Sequence, residues 1–230
     1  MARNQIMSNN INVFIIRHGE TLINRSDQIG QASDTKLTDV GIEQATKLGK
    51  RFAASKIEFD RVCSSTYDRA LATAAIFAKL VDYKGSMVVS SDLREYNAGK
   101  WIGRKRSEVY SDPANTIKML SHGMGFRFPG KSGESYEQVY RRSSAWLEEA
   151  IIHNDDVLKI AEMKPVNVAV FTHGQTAKAI LKYVMGYDSG FLWRISIDNT
   201  GVCHLIYNAE KGWFLKSIND TAHLMSFNKS

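Results

Sequence analysis

Two stretches of the sequence place a histidine before a glycine, directly after an apolar run. The first is FIIRHGET, which contains Arg17 and His18, and the second is VFTHG, which ends in His173 and Gly174. Near neutral pH an imidazole offers an unprotonated ring nitrogen that can act as a base, a metal ligand or a nucleophile. These two histidines are therefore the first candidates for chemistry in this chain.

Arg69 and Glu95 are further candidates, because each follows another short apolar run. Arg69 lies just beyond RVCSS, and Glu95 lies in the LRE triplet beyond MVV. In α/β proteins, ligands bind beyond the carboxyl ends of parallel strands, where those ends share one edge of the sheet. We therefore expect Arg69 and Glu95 to meet Arg17, His18 and His173 at a single site.

The arginines argue against a metal ion at this site. At an effective dielectric constant of about 20, two unit charges roughly 4 Å apart repel by ~4 kcal/mol, and a divalent ion would be repelled more. Planar guanidinium groups instead match the oxygens of phosphate. A nucleophilic nitrogen among oxyanion ligands points to phosphoryl transfer, with Glu95 as the acid that protonates the departing oxygen. We expect neither a metal nor a cofactor.

Six short runs rich in valine, isoleucine or phenylalanine have the composition of buried strands. They are Val13–Ile16, Arg61–Ser64, Met87–Val89, Val166–Thr172, Val202–Tyr207 and Trp213–Lys216. Helical patterns lie between them. These are the stripe Ile42, Ala45, Leu48 and Phe52 behind an N-cap at Thr38, then Arg69–Tyr83, Ser135–Ile152 and Ala177–Met185, the last stopped by Gly186.

This alternation predicts an α/β fold of three layers, in which helices flank a mainly parallel, mixed sheet. The last two strands predict an antiparallel hairpin at one edge. We expect a single domain over 1–230, with residues 1–10 as a flexible tail. Residues 90–133, with Pro113 and Pro129, predict an irregular excursion that forms a lid or a substrate wall.

The composition favours an anionic partner but does not choose one. The 230 residues are 43% hydrophobic and 23% charged, with a net charge of +6. The basic cluster KWIGRKR lacks the regular aromatic interleaving of a single-strand-binding surface, so we expect no nucleic acid partner. No apolar stretch suits a membrane span or a signal peptide, and two isolated cysteines suit a reducing compartment, so we expect a cytoplasmic protein. The oligomeric state stays open, with a homodimer as one option.

Several motifs in this order resemble the histidine phosphatase superfamily, the phosphoglycerate-mutase-like proteins. They are RHGET, the N…GQ…LT stretch from Asn24 to Thr38, SSTYDRALATA, LREYNAGKWIG and THG, with GESYEQVYRR and NTGVCHLIY as further similar segments. The resemblance implies that His18 is the nucleophile that becomes phosphorylated and that Glu95 is the proton donor. The residues implied in phosphate or substrate binding are Arg17, Asn24, Gln31, Arg69, His173 and Gly174.

Two departures bear on the substrate. Gln175-Thr176 follow the THG motif where family phosphatases often carry a glycine or an asparagine, which leaves the substrate class open. Residues 104–130 are shorter than the insertion of the mutase branch and do not match it, which favours a phosphatase for small phosphorylated metabolites. The alternatives are a cofactor-dependent phosphoglycerate mutase and a non-catalytic phosphate-binding or interaction module.

Overall fold

The structure, a computed structural model, describes residues 10–30 and 35–225. Its strands form one six-stranded sheet in the order β3-β2-β4-β1-β5-β6. They are β1 (Asn10–Arg17), β2 (Arg61–Ser65), β3 (Val88–Ser90), β4 (Val166–Thr172), β5 (Val202–Asn208) and β6 (Gly212–Asp220). The first four strands pair in parallel, whereas β5 and β6 pair antiparallel at one edge. The predicted mainly parallel, mixed sheet with an edge hairpin is therefore confirmed.

Eight α-helices lie in the described part of the chain. They are α1 (Leu22–Arg25), α2 (Asp39–Ala54), α3 (Asp68–Leu80), α4 (Arg106–Ser111), α5 (Pro113–His122), α6 (Tyr136–Leu147), α7 (Asp155–Ala161) and α8 (Gly174–Met185). The patterns predicted α2, α3, α6 and α8. Helix α8 begins three residues before the predicted start, and α6 continues into a π-helical turn at Glu148–Ile152.

Helix α2 begins as predicted, but its buried stripe differs by one residue. The Thr38 hydroxyl accepts a hydrogen bond from the Gly41 amide at 3.1 Å, which confirms the N-cap. Ile42 was expected to face the sheet and is instead 46% exposed. Gly41 takes the inner position with Ala45, because the loop after β1 packs against its backbone: a Cβ atom at Gly41 would clash with the Glu20 carbonyl oxygen.

The two faces of the sheet carry separate cores, which gives the three predicted layers. On β1, Phe14 and Ile16 pack with side chains of α2 and α3. The alternate residues Val13 and Ile15 pack on the opposite face with α6, α7 and α8. Alternate residues of a strand point to opposite faces, so β1 is buried on both sides and its backbone is held firmly.

Residues 90–133 are more regular than the sequence suggested. They contain α4, α5 and a small aromatic core in which Trp101 and Phe128 are buried. Pro113 was read as a loop signal, but it occupies the first turn of α5, where its missing amide hydrogen costs nothing. The Asp112 side chain caps that helix by accepting a hydrogen bond from the amide of Ala114 at 2.9 Å.

The expected N-terminal tail falls almost wholly outside the described residues, because only Asn10 is described and it already belongs to β1. Cys63 and Cys203 are both buried and unpaired. Within residues 10–30 and 35–225, no helix is both long and apolar enough to cross a membrane.

Candidate active site

A cavity of about 560 Å³ opens at the carboxyl ends of the parallel strands. Six of the residues singled out in the sequence line it: Arg17, His18, Asn24, Arg69, Glu95 and Gly174. His173 is fully buried beside them, with its ring centre 5.1 Å from that of His18. Gln31 lies outside the described residues. The predicted convergence of two arginines, two histidines and a glutamate is therefore present in the structure.

Strand register explains why the two histidines meet. Strands β1 and β4 run in parallel, and Arg17 on one is paired with Thr172 on the other. The next residue of each strand is a histidine, and the His18 amide donates a hydrogen bond to the Thr172 carbonyl at 2.9 Å. Two separate motifs are thus brought side by side by the sheet itself.

The hydrogen bonds of His18 assign its tautomer. Nδ1 lies 2.7 Å from the carbonyl oxygen of Gly19, which can only accept, so Nδ1 carries the proton. The lone pair is therefore on Nε2, where the Arg69 Nε–H donates a hydrogen bond at 3.2 Å. A buried imidazole held in this way presents one basic nitrogen in a fixed direction.

The surroundings of both histidines favour the neutral ring. Burial lowers the pKa of His18 well below its usual value, and the charges of Arg69 and Arg17 lower it further. Burial likewise lowers the pKa of His173, with Arg69 as the next cause. The same cations that would attract an anion thus keep the His18 nitrogen unprotonated at neutral pH.

Arg17 is anchored at one end and open at the other. Its Nη1 donates a hydrogen bond to the Ile197 carbonyl at 2.6 Å, whereas its buried Nε has no hydrogen-bond partner among the described residues. Burial lowers the pKa of Arg17, and the negative charges of Glu95 and Asp198 partly oppose this. The buried Nε–H is a donor for a ligand in the cavity.

Arg69 is positioned by the first turn of α3. Its guanidinium group lies over the ring of Tyr67, 4.9 Å from the ring centre, and Nη1 lies 3.5 Å from the Thr35 hydroxyl. This stacking holds the planar group while leaving its edge directed at His18.

Two hydroxyl groups that the sequence analysis did not single out hold this arrangement. The buried Thr73 hydroxyl accepts a hydrogen bond from the Gly19 amide at 3.0 Å and donates one to the Arg69 carbonyl at 2.7 Å. The Ser65 hydroxyl lies 2.8 Å from His173 Nε2. His173 Nδ1 is left without a partner in the described part of the chain.

Glycine at position 19 is required by packing rather than by a ligand. A Cβ atom there would lie 2.6 Å from the Gly41 carbonyl oxygen, because the start of α2 crosses this loop. Gly174 does face the cavity: a Cβ atom there would lie 3.7 Å from Arg17 Nε and 3.9 Å from Glu95 Oε2. Gly174 therefore marks the point at which Arg17 and Glu95 approach each other.

The Glu95 carboxylate is fixed by backbone donors. Its Oε2 accepts a hydrogen bond from the Gln175 amide at 3.0 Å, and its Oε1 accepts one from its own neighbour, Tyr96, at 3.2 Å. Gln175 follows Gly174 in the first turn of α8, so the THG segment positions the glutamate as well as His173.

Asn199 is a further residue that sequence reasoning missed. Its Nδ2 donates to the His18 carbonyl at 2.9 Å and to Asn24 Oδ1 at 3.2 Å. Asn24 Oδ1 also accepts from the Thr21 amide at 3.0 Å, so it helps to close the turn after His18. The NTG triplet at 199–201 was the available signal, since it precedes β5 next to β1 in the sheet.

The outer part of the cavity is aromatic and cationic. Tyr96, Tyr110, Met119, Tyr136 and Trp193 form apolar surface, and Arg106 and Lys178 add positive charge. Burial raises the pKa of the three tyrosines, which keeps their hydroxyls protonated as hydrogen-bond donors. Four of these residues, Tyr96, Arg106, Tyr110 and Met119, come from residues 90–133. Among the described residues, no cluster of three or more His, Cys, Asp or Glu is placed to hold a metal ion.

Comparison with known proteins places this geometry in a family. A family model described as the histidine phosphatase superfamily (branch 1) matches residues 13–221. A curated relative from Yersinia pestis, named "Probable phosphoglycerate mutase GpmB", is 30% identical over 220 residues, which cover 93% of this chain and 95% of the relative.

Solved structures agree on the fold. Phosphoserine phosphatase from Entamoeba histolytica, determined in complex with 3-phosphoglyceric acid, has a TM-score of 0.75 and 26% identity over 94% of this chain and 100% of its own. A mycobacterial glucosyl-3-phosphoglycerate phosphatase has a TM-score of 0.74 at 20% identity over 91% of this chain and 99% of its own, a likeness of fold alone.

Proposed function

This chain belongs to the histidine phosphatase superfamily, and on that basis we propose that it is a phosphomonoesterase that works through a phosphohistidine on His18. One observation carries the proposal: the Gly19 carbonyl fixes the lone pair of His18 on Nε2, inside a pocket that contains Arg17 and Arg69. The substrate would be a small phosphorylated metabolite. Two buried, unpaired thiols are in keeping with a cytoplasmic setting.

In the first step His18 Nε2 attacks phosphorus, and the P–O bond to the alcohol breaks. Arg17, Arg69 and His173 would hold the non-bridging oxygens, since Arg17 Nε and His173 Nδ1 have no hydrogen-bond partner among the described residues. Arg69 would exchange its hydrogen bond to Nε2 for one to a phosphate oxygen. Glu95 would enter this step as the carboxylic acid, with a proton taken up together with the dianionic substrate, and would give that proton to the departing alkoxide so that the alcohol leaves neutral.

In the second step a water molecule attacks the phosphohistidine. Glu95, now ionised, would accept the proton from that water, and the N–P bond would break to release orthophosphate and neutral His18. The step needs no cofactor, since the nucleophile, the acid and the cations are side chains of this chain. Most of the rate would come from charge stabilisation at the equatorial oxygens.

The test is hydrolysis of a panel of phosphomonoesters, with quenching in alkaline denaturant to trap phosphate on the protein, because phosphohistidine is stable in base and is lost in acid. We expect turnover and a trapped phosphoenzyme for the wild type, and neither for His18→Asn, an uncharged variant of similar size. His204→Asn is the matched control, because His204 is a partly buried strand residue outside the cavity. Equal turnover by wild type and His18→Asn would exclude the proposal.

A mutase is the second candidate, and the name of the Yersinia relative favours it. A mutase must hold its product until the phosphoryl group returns, whereas a phosphatase releases the product and admits water. A coupled assay with 3-phosphoglycerate and a trace of the bisphosphate primer separates them. Formation of 2-phosphoglycerate faster than orthophosphate would identify a mutase.

A further inference from the structure

Four cationic side chains line the cavity in the described part of the chain, and two of them have no part in the proposed phosphate site. Arg17 and Arg69 lie beside His18, whereas Arg106 and Lys178 lie on the wall. Glu95 is the only carboxylate among the described residues that line the cavity. Three net positive charges remain, and a phosphate monoester compensates roughly two of them. The described lining therefore has positive charge beyond the needs of one phosphate group.

Lys178 is the unusual member of this set. It lies on α8, one turn beyond Gly174, and is half-buried. Its ammonium group has no hydrogen bond or ion pair with any described residue, whereas Lys182, one turn further along the same helix, donates to the Tyr187 carbonyl at 2.6 Å. Burying a cation without a partner costs free energy, so this position is one that a ligand can stabilise.

The electrostatics around Lys178 point the same way. Burial and the charge of Arg17 lower the pKa of Lys178, and the charge of Glu95 partly opposes them. Glu95 accepts hydrogen bonds from the amides of Gln175 and Tyr96, and no ion pair between Glu95 and Lys178 forms in the described structure. Lys178 is therefore near enough to the proposed reaction centre to feel its charges, yet it is not neutralised there.

We propose that Lys178 binds a second anionic group, a carboxylate or a second phosphate, on the alcohol part of the substrate. The inference rests on the proposed function for the identity of the first group, the phosphate ester at His18. A substrate of this class would join the two anions through a short alcohol chain that contacts the tyrosine wall. Phosphate monoesters of the same size whose alcohol part carries no negative charge would be poorer substrates.

The experiment uses pairs of phosphomonoesters that differ in one group. The carboxylate pairs are 3-phosphoglycerate with glycerol 3-phosphate and O-phosphoserine with O-phosphoethanolamine; the phosphate pair is fructose 1,6-bisphosphate with fructose 6-phosphate. For each pair, kcat/KM is measured with wild type, Lys178→Met, Lys178→Arg and the control Lys182→Met. Binding of the same six compounds to the His18→Asn variant, with and without Lys178→Met, is measured by calorimetry and needs no turnover.

We expect the anionic member of at least one pair to be preferred by roughly 10- to 150-fold, the range for a hydrogen bond to a charged group. Lys178→Met should remove most of that preference, Lys178→Arg should restore it, and Lys182→Met should retain it. The carboxylate and phosphate pairs show which anion is recognised. Equal binding of both members of every pair to His18→Asn, or a preference that survives Lys178→Met, would overturn the inference. Absence of hydrolysis with an intact binding preference would instead count against the proposed phosphatase alone.

Discussion

Replacing Glu95 by glutamine should slow the enzyme by an amount that depends on the leaving group. An alkoxide needs a proton as it departs, and a positioned general acid contributes roughly 10²- to 10⁴-fold, or about 2.7 to 5.4 kcal/mol of activation free energy. A nitrophenolate departs without a proton. Glu95→Gln should therefore lose about 10²- to 10⁴-fold in kcat/KM on an alkyl phosphate and about tenfold or less on p-nitrophenyl phosphate, since kcat/KM reports the steps up to release of the alcohol.

The variant also has a structural cost that must be separated from the catalytic one. Glu95 accepts amide hydrogens on both oxygens, so the glutamine NH₂ group must face one of these donors. That mismatch costs about 1–3 kcal/mol of folding free energy, or roughly 2–12 °C in Tm for a chain of this size. Glu134→Gln is the matched control, because Glu134 accepts the Asn97 amide at 2.9 Å but does not line the cavity.

The assay is steady-state hydrolysis of aryl phosphates of graded leaving-group acidity, together with one alkyl phosphate, compared by kcat/KM. The Glu95→Gln data should show a steeper dependence on leaving-group basicity than the wild type, whereas the Glu134→Gln data should parallel the wild type. A uniform loss across the series would show that Glu95 only positions the site, and the assignment of the proton donor would be wrong.

Three further predictions follow from the same contacts. Because the pKa values of His18 and His173 are lowered in the folded protein, the unfolded chain binds protons more readily. The free energy of unfolding should therefore fall as pH drops below about 6.5, by up to about 1.4 kcal/mol per pH unit for each histidine. Denaturant titrations from pH 7.5 to 5 check this, and an unchanged slope in a His18→Gln variant would contradict it. A bound dianion should raise the pKa of His173. Inhibition by sulfate should therefore be strongest at low pH and weaken as pH rises through the pKa that His173 has in the complex. The inhibition constant of a His173→Asn variant should vary less with pH. Gly19→Ala should lower Tm by roughly 2–12 °C, because its Cβ would meet the Gly41 carbonyl at 2.6 Å, and Gly125→Ala, which meets nothing within 4 Å, should have little effect.

The parts of the site that the sequence could predict are those set by strand ends. Arg17, His18 and His173 follow directly from β1 and β4, and parallel pairing forces the ends of those strands together. For these residues a short stretch of sequence therefore shows both the side chain and its position at the end of a strand.

The parts that could not be predicted depend on side-chain direction. Thr73 lies on α3 four residues after Arg69, in a stretch that reads as ordinary helix, and its contact with Gly19 depends on how α3 packs on β1. Asn199 and Lys178 reach the site from loops and helix turns whose orientation is set only by the folded sheet. Ile42 was misassigned for a related reason, since the helical period alone does not show that Gly41 must take the inner position.

The positive charge of the pocket serves two needs of the proposed reaction, attraction of the phosphate and an unprotonated imidazole. A phosphate ester is a dianion, so cations must draw it in, and an imidazole must be unprotonated to attack it. In the proposed mechanism Arg17 and Arg69 would meet both requirements, because their charges would attract phosphate and, together with burial, they lower the pKa of His18. The arriving dianion would offset those charges and favour protonation of His173, whose Nδ1, without a partner in the described part of the chain, would donate to the phosphate. The free pocket would thus hold His18 unprotonated, and substrate binding would add the protonated His173 that the reaction needs.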